Sequence, residues 1–148
     1  MMSINEIYNQ KILELISFDK CNLSNSNLQE LDENIFNFTN IKELILDENN
    51  IKLLPESISK LSNLTWLILS DNKIETLPES IGRLEKLEGL YLAGNKLTKL
   101  PVSIINLKEL TYLSLLENEQ LVLSDEQKDW IKTLKERNCK VLYWKVYS

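Results

Sequence analysis

Residues 64–74 read LTWLILSDNKI and residues 87–97 read LEGLYLAGNKL, so the pattern L-x-x-L-x-L-x-x-N-x-L occurs twice at a spacing of 23 residues. The pattern also occurs upstream and downstream, at Ile41, Leu44, Leu46, Asn49 and Ile51, and at Leu110, Leu113, Leu115, Asn118 and Leu121. Four copies in phase are typical of a solenoid, in which each repeat packs only on its neighbours.

A second motif follows three of these segments and predicts the other side of the solenoid. It reads LPESI at residues 54–58 and 77–81, and LPVSI at residues 100–104. Proline has no amide donor and a fixed φ, so it suits the start of a short helical or 3₁₀ turn and is excluded from a central strand. The preceding repeat carries Asp32 in place of proline, which is a good N-cap. These segments are predicted to form the convex side.

On these motifs the sequence resembles the leucine-rich repeat family, and its small bacterial members in particular. The resemblance implies an α/β fold: a short right-handed horseshoe with a parallel β-sheet on the concave face and 3₁₀ or short helical turns on the convex face. It also implies a helical N-terminal cap and a helix-strand C-terminal cap. The recurring asparagines are predicted to satisfy backbone groups in the turn after each strand: Asn49, Asn72, Asn95 and Asn118.

The chain, residues 1–148, is interpreted as a single domain, since its length and its aliphatic content support one continuous core. Residues 1–12 are predicted to be the helical cap, opened by the capping-box residues Ser3 and Glu6. Residues 13–123 would hold five repeats. Residues 124–148 are predicted to be the C-terminal cap, with a helix from Ser124 to Asn138 and a strand over residues 139–146. A second capping box, formed by Ser124 and Gln127, is predicted to open this helix.

The first repeat has two possible registers. Counting back 23 residues from Ile41 starts it at Phe18 and places Ser26 at the asparagine position. Matching side-chain chemistry instead starts it at Leu13, places Cys21 at the asparagine position and requires an insertion of five residues around residues 24–27. We favour the second register, because it fills every apolar position and because surface loops tolerate insertions. It predicts outward-facing strand positions at Leu15, Ser17, Asp19 and Lys20.

Charge and hydropathy restrict the partners and the location. The chain has 17 basic and 22 acidic residues and no histidine, which argues against a nucleic-acid partner. No apolar run approaches the roughly 20 residues that cross a bilayer, and residues 1–20 lack the apolar segment of a signal peptide. A cytoplasmic location without a membrane partner is the default expectation, with export by another route left open. Cys21 and Cys139 fall at opposite ends of the solenoid and are predicted to be free thiols.

The sequence contains few residue patterns that support catalysis. Without histidine, the usual general base and metal ligand is missing, and the two cysteines are not at metal-ligand spacing. There is no G-x-S-x-G motif and no glycine-rich phosphate loop. We therefore expect a non-enzymatic protein with no metal and no cofactor.

The exposed strand positions predict a binding surface on the concave face. Their centre is apolar and aromatic, with Ile45, Trp66, Ile68, Tyr91 and Tyr112. Acidic residues surround this centre: Glu43, Asp47, Glu48, Asp71 and Glu117. Aromatic residues inside a polar rim are typical of protein interfaces. Gly89 is expected to leave room beside Trp66 for an inserted side chain. The alternative interpretation is that the aromatic residues only support cross-strand packing.

Two functions remain open on this evidence. The first is a protein-recognition module that binds an unidentified protein through the concave patch, with a basic segment of the partner attracted by the acidic rim. The second is a self-assembling structural protein that forms a homodimer through its C-terminal edge strand or its concave face.

Overall fold

A computed structural model describes residue 10 and residues 19–143 of the chain. Within residues 19–143 there is one parallel sheet with six strands in sequence order. The strands are β1 (Lys20–Asn22), β2 (Glu43–Ile45), β3 (Trp66–Ile68), β4 (Gly89–Tyr91), β5 (Tyr112–Ser114) and β6 (Lys140–Leu142). The predicted leucine-rich repeat solenoid is confirmed. The solvent-facing side of this sheet is called the concave face below.

The core is built from leucines and isoleucines that repeat in register. The central residue of each strand points inward, and Leu44, Leu67, Leu90 and Leu113 are all fully buried. Each pairs with its equivalent in the adjacent strand, so apolar layers stack along the solenoid. Burial of the apolar faces of neighbouring repeats against each other is the main source of stability in such a fold.

The predicted asparagine ladder is confirmed. The Asn72 side chain donates from Nδ2 to the carbonyls of Leu46 and Leu69, at 2.9 and 3.1 Å. Its Oδ1 accepts the backbone N–H of Ile51 at 3.0 Å. Asn95 and Asn118 repeat this pattern one and two repeats later. The buried amides therefore satisfy backbone groups of two successive repeats at once.

On the convex side, the range 19–143 contains four 3₁₀ helices: Glu33–Asn37, Glu56–Lys60, Glu79–Arg83 and Val102–Asn106. The last three follow Pro55, Pro78 and Pro101, whose φ values lie between −76° and −64°. The first follows Asp32, whose side chain accepts the N–H of Asn34 at 2.8 Å. The predicted convex turns are confirmed as 3₁₀ helices.

Glutamates link each convex turn to the next. The backbone N–H of Ser80 donates to the Glu56 carboxylate at 2.9 Å, and the N–H of Ser103 donates to the Glu79 carboxylate at 3.1 Å. Each serine hydroxyl donates back to the backbone carbonyl of the same glutamate. Hydrogen bonds from Ser80 and from Ser103 lower the pKa of Glu56 and of Glu79, respectively. The sequence analysis did not identify this glutamate–serine ladder.

The favoured register of the first repeat is wrong, and the register starting at Phe18 is the one observed. Strand β1 pairs Cys21 with Leu44, a spacing of 23 residues without an insertion. Cys21 is therefore a core residue rather than the asparagine equivalent. The amide of Asn49 accepts the N–H groups of Ser26 and Leu28. An insertion after β1 would shift Ser26 and Leu28 away from Asn49 and remove both hydrogen bonds. Good matching of side chains at the repeat positions does not compensate for that loss.

The register also corrects the outward positions of the first strand, which are Lys20 and Asn22. Of the predicted set, Leu15 and Ser17 lie outside the described residues. The predicted N-terminal cap is also outside them, except for Gln10, which is helical and exposed.

The C-terminal cap consists of a helix, Asp125–Glu136, followed by strand β6. The predicted capping box is present, with Ser124 and Gln127 bonded reciprocally. Gln127 also donates to the carbonyls of Leu100 and Pro101, and the Trp130 indole donates to the carbonyl of Leu107. The helix thus packs on the 3₁₀ helix of the preceding repeat. Val141 of strand β6 and Tyr143, the residue after the strand, are partly buried against the core. Residues 144–146 of the predicted strand lie outside the described residues.

Cys21 and Cys139 are both buried and, as predicted, neither forms a disulfide. Burial raises the pKa of the Cys139 thiol, which disfavours the reactive thiolate. None of the helices among the described residues is long and apolar enough to cross a membrane.

Leu90→Ala tests the core packing. Because Leu90 is fully buried, its truncation should lower the free energy of unfolding by about 2–5 kcal/mol. Denaturant unfolding measures the change, with Val122→Ala as the control, since Val122 is 68% exposed. A loss below about 1 kcal/mol for Leu90→Ala would contradict a close-packed leucine at this position.

The glutamate–serine ladder predicts loss of stability in acid. Since folding lowers the pKa of Glu56 and Glu79, their contribution is present above the unfolded-state pKa and is lost as the pH falls through the folded-state values. When the pH is lowered from about 6 to about 3, the double variant Glu56→Gln/Glu79→Gln should therefore show a smaller drop in Tm than the unsubstituted chain. Thermal melts across this range measure it. Glu85→Gln, on an exposed residue, is the control, and an equal drop in the double variant and the control would refute the assignment.

Candidate functional site

Strand pairing arranges the outward side chains of the concave face in two lines. The first and last residues of each strand point away from the core, while the middle residue points into it. Line one is Lys20, Glu43, Trp66, Gly89, Tyr112 and Lys140, and line two is Asn22, Ile45, Ile68, Tyr91, Ser114 and Leu142. The apolar and aromatic residues predicted for the patch all occur in these lines and are partly exposed.

Three aromatic rings of the patch form a continuous stack across strands β3, β4 and β5. The ring centroids of Trp66 and Tyr91 are 6.0 Å apart at an interplanar angle of 41°. The rings of Tyr91 and Tyr112 are stacked, with centroids 4.4 Å apart and an angle of 18°. The pKa of Tyr91 is raised mainly by partial burial and to a smaller extent by the neighbouring Tyr112. The Tyr91 hydroxyl therefore stays protonated at neutral pH. The stack presents a continuous aromatic surface across three strands.

The expected space beside Gly89 is absent, because the Trp66 indole fills it. A Cβ atom at residue 89 would lie 2.0 Å and 2.2 Å from two atoms of the six-membered ring of Trp66. Glycine is required here so that the large ring can lie directly against the sheet. The prediction of room for an inserted side chain is wrong, and Trp66 itself is partly packed on the backbone of β4.

The acidic residues of the rim lie within or just after the strands. Glu43 is in line one, and Asp47 lies two residues beyond the end of β2. Glu48, Asp71 and Glu117 occupy equivalent turn positions, each with φ near 54°, and Gly94 takes this position in the intervening repeat. The left-handed conformation is unusual for residues other than glycine, and its recurrence shows that the turn geometry is imposed by the repeat. The structure thus places four rim residues along one edge of the two lines, Asp47, Glu48, Asp71 and Glu117, whereas Glu43 lies within line one.

Two lysines extend the predicted site. Lys20 Nζ lies 3.1 Å from Glu43 Oε2. Lys140 Nζ lies 5.7 Å from the centroid of the Tyr112 ring, within reach of a cation–π interaction. The sequence analysis assigned neither contact. The 23-residue spacing, applied without exception to β1, would have aligned Lys20 with Glu43.

Among residues 19–143, no group of three or more cysteine, aspartate and glutamate side chains is arranged to hold a metal ion. The side-chain polar atoms that are fully buried in this part of the chain all have hydrogen-bond partners. The exposed aromatic stack and its rim are therefore the strongest candidate for a site.

A second surface feature lies on the convex flank. A groove of about 470 Å³ crosses three repeats, and it is lined in part by Leu53 and Val102, which are 64% and 68% exposed. Leu54, Pro55, Leu77, Pro78, Leu100 and Pro101 complete its apolar walls. Among the described residues, no aromatic residue lines this groove.

Comparisons with known proteins identify the repeat. The family model described as leucine rich repeat matches residues 19–74 and 62–119. No curated protein sequence shows significant similarity to the chain. The solved structures that match include a leucine-rich repeat protein from Leptospira interrogans, with 37% identity and a TM-score of 0.66 over 78% of this chain and 28% of that one.

Two further structures are similar. An internalin from Listeria monocytogenes has 25% identity and a TM-score of 0.66, over 88% of this chain and 36% of the internalin. The PEPR1–AtPEP1 structure has 31% identity and a TM-score of 0.54, over 57% of this chain and 12% of that one. The chain therefore spans about a third of the length of the Leptospira and Listeria proteins.

Proposed function

Because the chain belongs to the leucine-rich repeat family, we propose that it is a non-enzymatic recognition module that binds a protein partner through the concave face. Leucine-rich repeat folds generally mediate protein–protein interaction and are typically not enzymes. The similar PEPR1–AtPEP1 structure, which is named for two components, supports a binding role for this fold. The patch, the partner and its charge are our assignment for this chain.

The observation that carries the proposal is the aromatic stack. Trp66, Tyr91 and Tyr112 are outward residues, and the apolar layers of the core are complete without them. Rigid aromatic side chains supply large contact area at a small loss of conformational entropy, which is why they dominate the binding energy of protein interfaces. Ile45 and Ile68 extend the same surface toward β2.

The rim determines the charge of the partner in this proposal. Asp47, Glu48, Asp71 and Glu117 bring several carboxylates to one edge of the patch, and the whole chain carries a net charge of −5. Such a field favours a basic segment and raises the association rate more than the affinity.

Self-assembly is the second candidate, and the sheet order favours it. Strand β6 is the last strand of the sheet and pairs only with β5 among the described residues. An edge strand of this kind can pair with a second copy. Sedimentation velocity at several concentrations separates the two functions, since a stable dimer near micromolar concentration would support self-assembly over recognition of another protein.

Trp66→Ala tests the recognition site. If Trp66 is a central contact, the substitution should weaken binding to a captured partner by about 2 kcal/mol or more. Isothermal titration calorimetry measures the affinity, and thermal melts measure folding. Because the indole covers Gly89, we expect a modest drop in Tm, smaller than that of Leu90→Ala.

Val122→Ala is the matched control, since it also truncates an apolar side chain that reaches solvent. Unlike Trp66, Val122 does not belong to the concave face. Glu56→Ala is less suitable, because it would remove the bond to Ser80. Equal affinities for Trp66→Ala and Val122→Ala would place the site elsewhere. In that case, weaker binding by Leu53→Ala would indicate the convex groove instead.

A further inference from the structure

Line one of the concave face carries two cations of the chain itself, one at each end. Lys20 lies against the carboxylate of Glu43, and Lys140 lies over the ring of Tyr112. The same line therefore holds positive charge in two ways, on a carboxylate and on the face of an aromatic ring. Trp66 lies between these two ends.

Trp66 and Glu43 are direct neighbours in this line, on adjacent strands about 4.8 Å apart. The indole is partly exposed, and its six-membered ring lies in the space above Gly89, so contact with the sheet restricts its position. Indole is the most favourable ring for a cation–π interaction, and a carboxylate beside it adds direct attraction. Glu43 leans toward Lys20 on β1 and Trp66 leans toward Gly89 on β4, so the carboxylate and the ring lie on either side of the space between β2 and β3.

Resting on the proposed function, we infer that the partner places an arginine side chain between the Glu43 carboxylate and the Trp66 ring. Arginine is favoured over lysine, because the planar guanidinium stacks on an aromatic ring and donates in a fork to a carboxylate at the same time. This assigns a specific contact to the partner, beyond general attraction to an acidic rim.

Lys20 competes for this site. The side chains of Lys20 and Glu43 are 53% and 41% exposed, so their ion pair is a solvated surface contact that exchanges readily. An arriving guanidinium has to displace or share this ammonium. Removing the Lys20 charge should therefore tighten the binding of arginine.

The chain offers a matched control for that substitution. Lys42 forms an ion pair with Asp19 at 3.4 Å, with side chains 58% and 59% exposed, and Lys42 lies just before β2 rather than in line one. Lys20→Gln and Lys42→Gln change the net charge equally. A difference between them reports the local competition and not the overall charge.

The experiment uses N-acetyl-arginine methylamide as the probe and the uncharged N-acetyl-citrulline methylamide as its isostere. Two-dimensional nitrogen–proton NMR of the full chain follows the Trp66 indole signal, identified by its loss in Trp66→Leu. The Trp130 indole, which is buried and donates to Leu107, is the internal reference. Thermal melts confirm that each variant is folded.

We expect saturable shifts of the Trp66 signal with the arginine probe, with millimolar affinity, and much weaker binding of the citrulline probe. Glu43→Gln should weaken arginine binding by about threefold or more. Lys20→Gln should strengthen arginine binding by about twofold or more, whereas Lys42→Gln should change it by less than about twofold. Equal binding of the two probes, or equal effects of the two lysine variants, would overturn the inference. Partner binding that depends on Trp66 but not on Glu43 would retain the recognition function and exclude the arginine contact.

Discussion

The buried amides of the asparagines fix how much chain separates one repeat from the next. Asn72 bonds to the carbonyl of Leu46 in the preceding repeat and to that of Leu69 in its own, and Asn95 bonds in turn to Leu69. A carbonyl shared by two amides leaves no freedom to add or remove a residue between them without a buried, unsatisfied polar group. Strand register, the core layers and the two outward lines all depend on this constraint. Where it ends, after Asn118, the chain departs from the repeat and forms the C-terminal helix.

Much of the fold was predictable from the sequence, because the constraint has a direct sequence signal. The leucines at strand centres, the prolines before the 3₁₀ helices and the capping box at Ser124 each act locally, and each was confirmed. The first repeat was misaligned because resemblance of side chains was weighed above constancy of spacing. Cysteine is accepted at the asparagine position of such repeats, which favoured the register that starts at Leu13. Cys21 nevertheless lies in the core opposite Leu44. The glutamate–serine ladder was missed since it joins side chains to backbone groups about 24 residues away, which composition does not reveal.

The candidate site was predictable as a set of positions but not as an arrangement. Alternation along the strands placed Trp66, Tyr91 and Tyr112 on one face, and the structure brings them together as a stack. The position of each ring depends on its neighbours. The indole of Trp66 occupies the space above Gly89. The surface at Trp66 is therefore flatter than the large size of a tryptophan side chain suggests. Lys20 and Lys140 belong to the site only through strand pairing, and the second comes from the cap rather than from a repeat.

The left-handed turn that follows each of strands β2 to β5 has a consequence for how the surface can vary among descendants of this sequence. Glu48, Asp71, Gly94 and Glu117 share one backbone conformation although their side chains differ. The turn is held by backbone bonds to the next repeat, such as that from Asp71 to Ala93, and not by the side chain that it carries. Point mutations at Glu48, Asp71 and Glu117 can therefore change the charge of the rim while the scaffold beneath is inherited intact, whereas a side chain at Gly94, where φ is +66°, would be strained and would meet the Asp71 carboxylate. Selection for a new partner has a place to act in this protein that is largely separate from selection for folding.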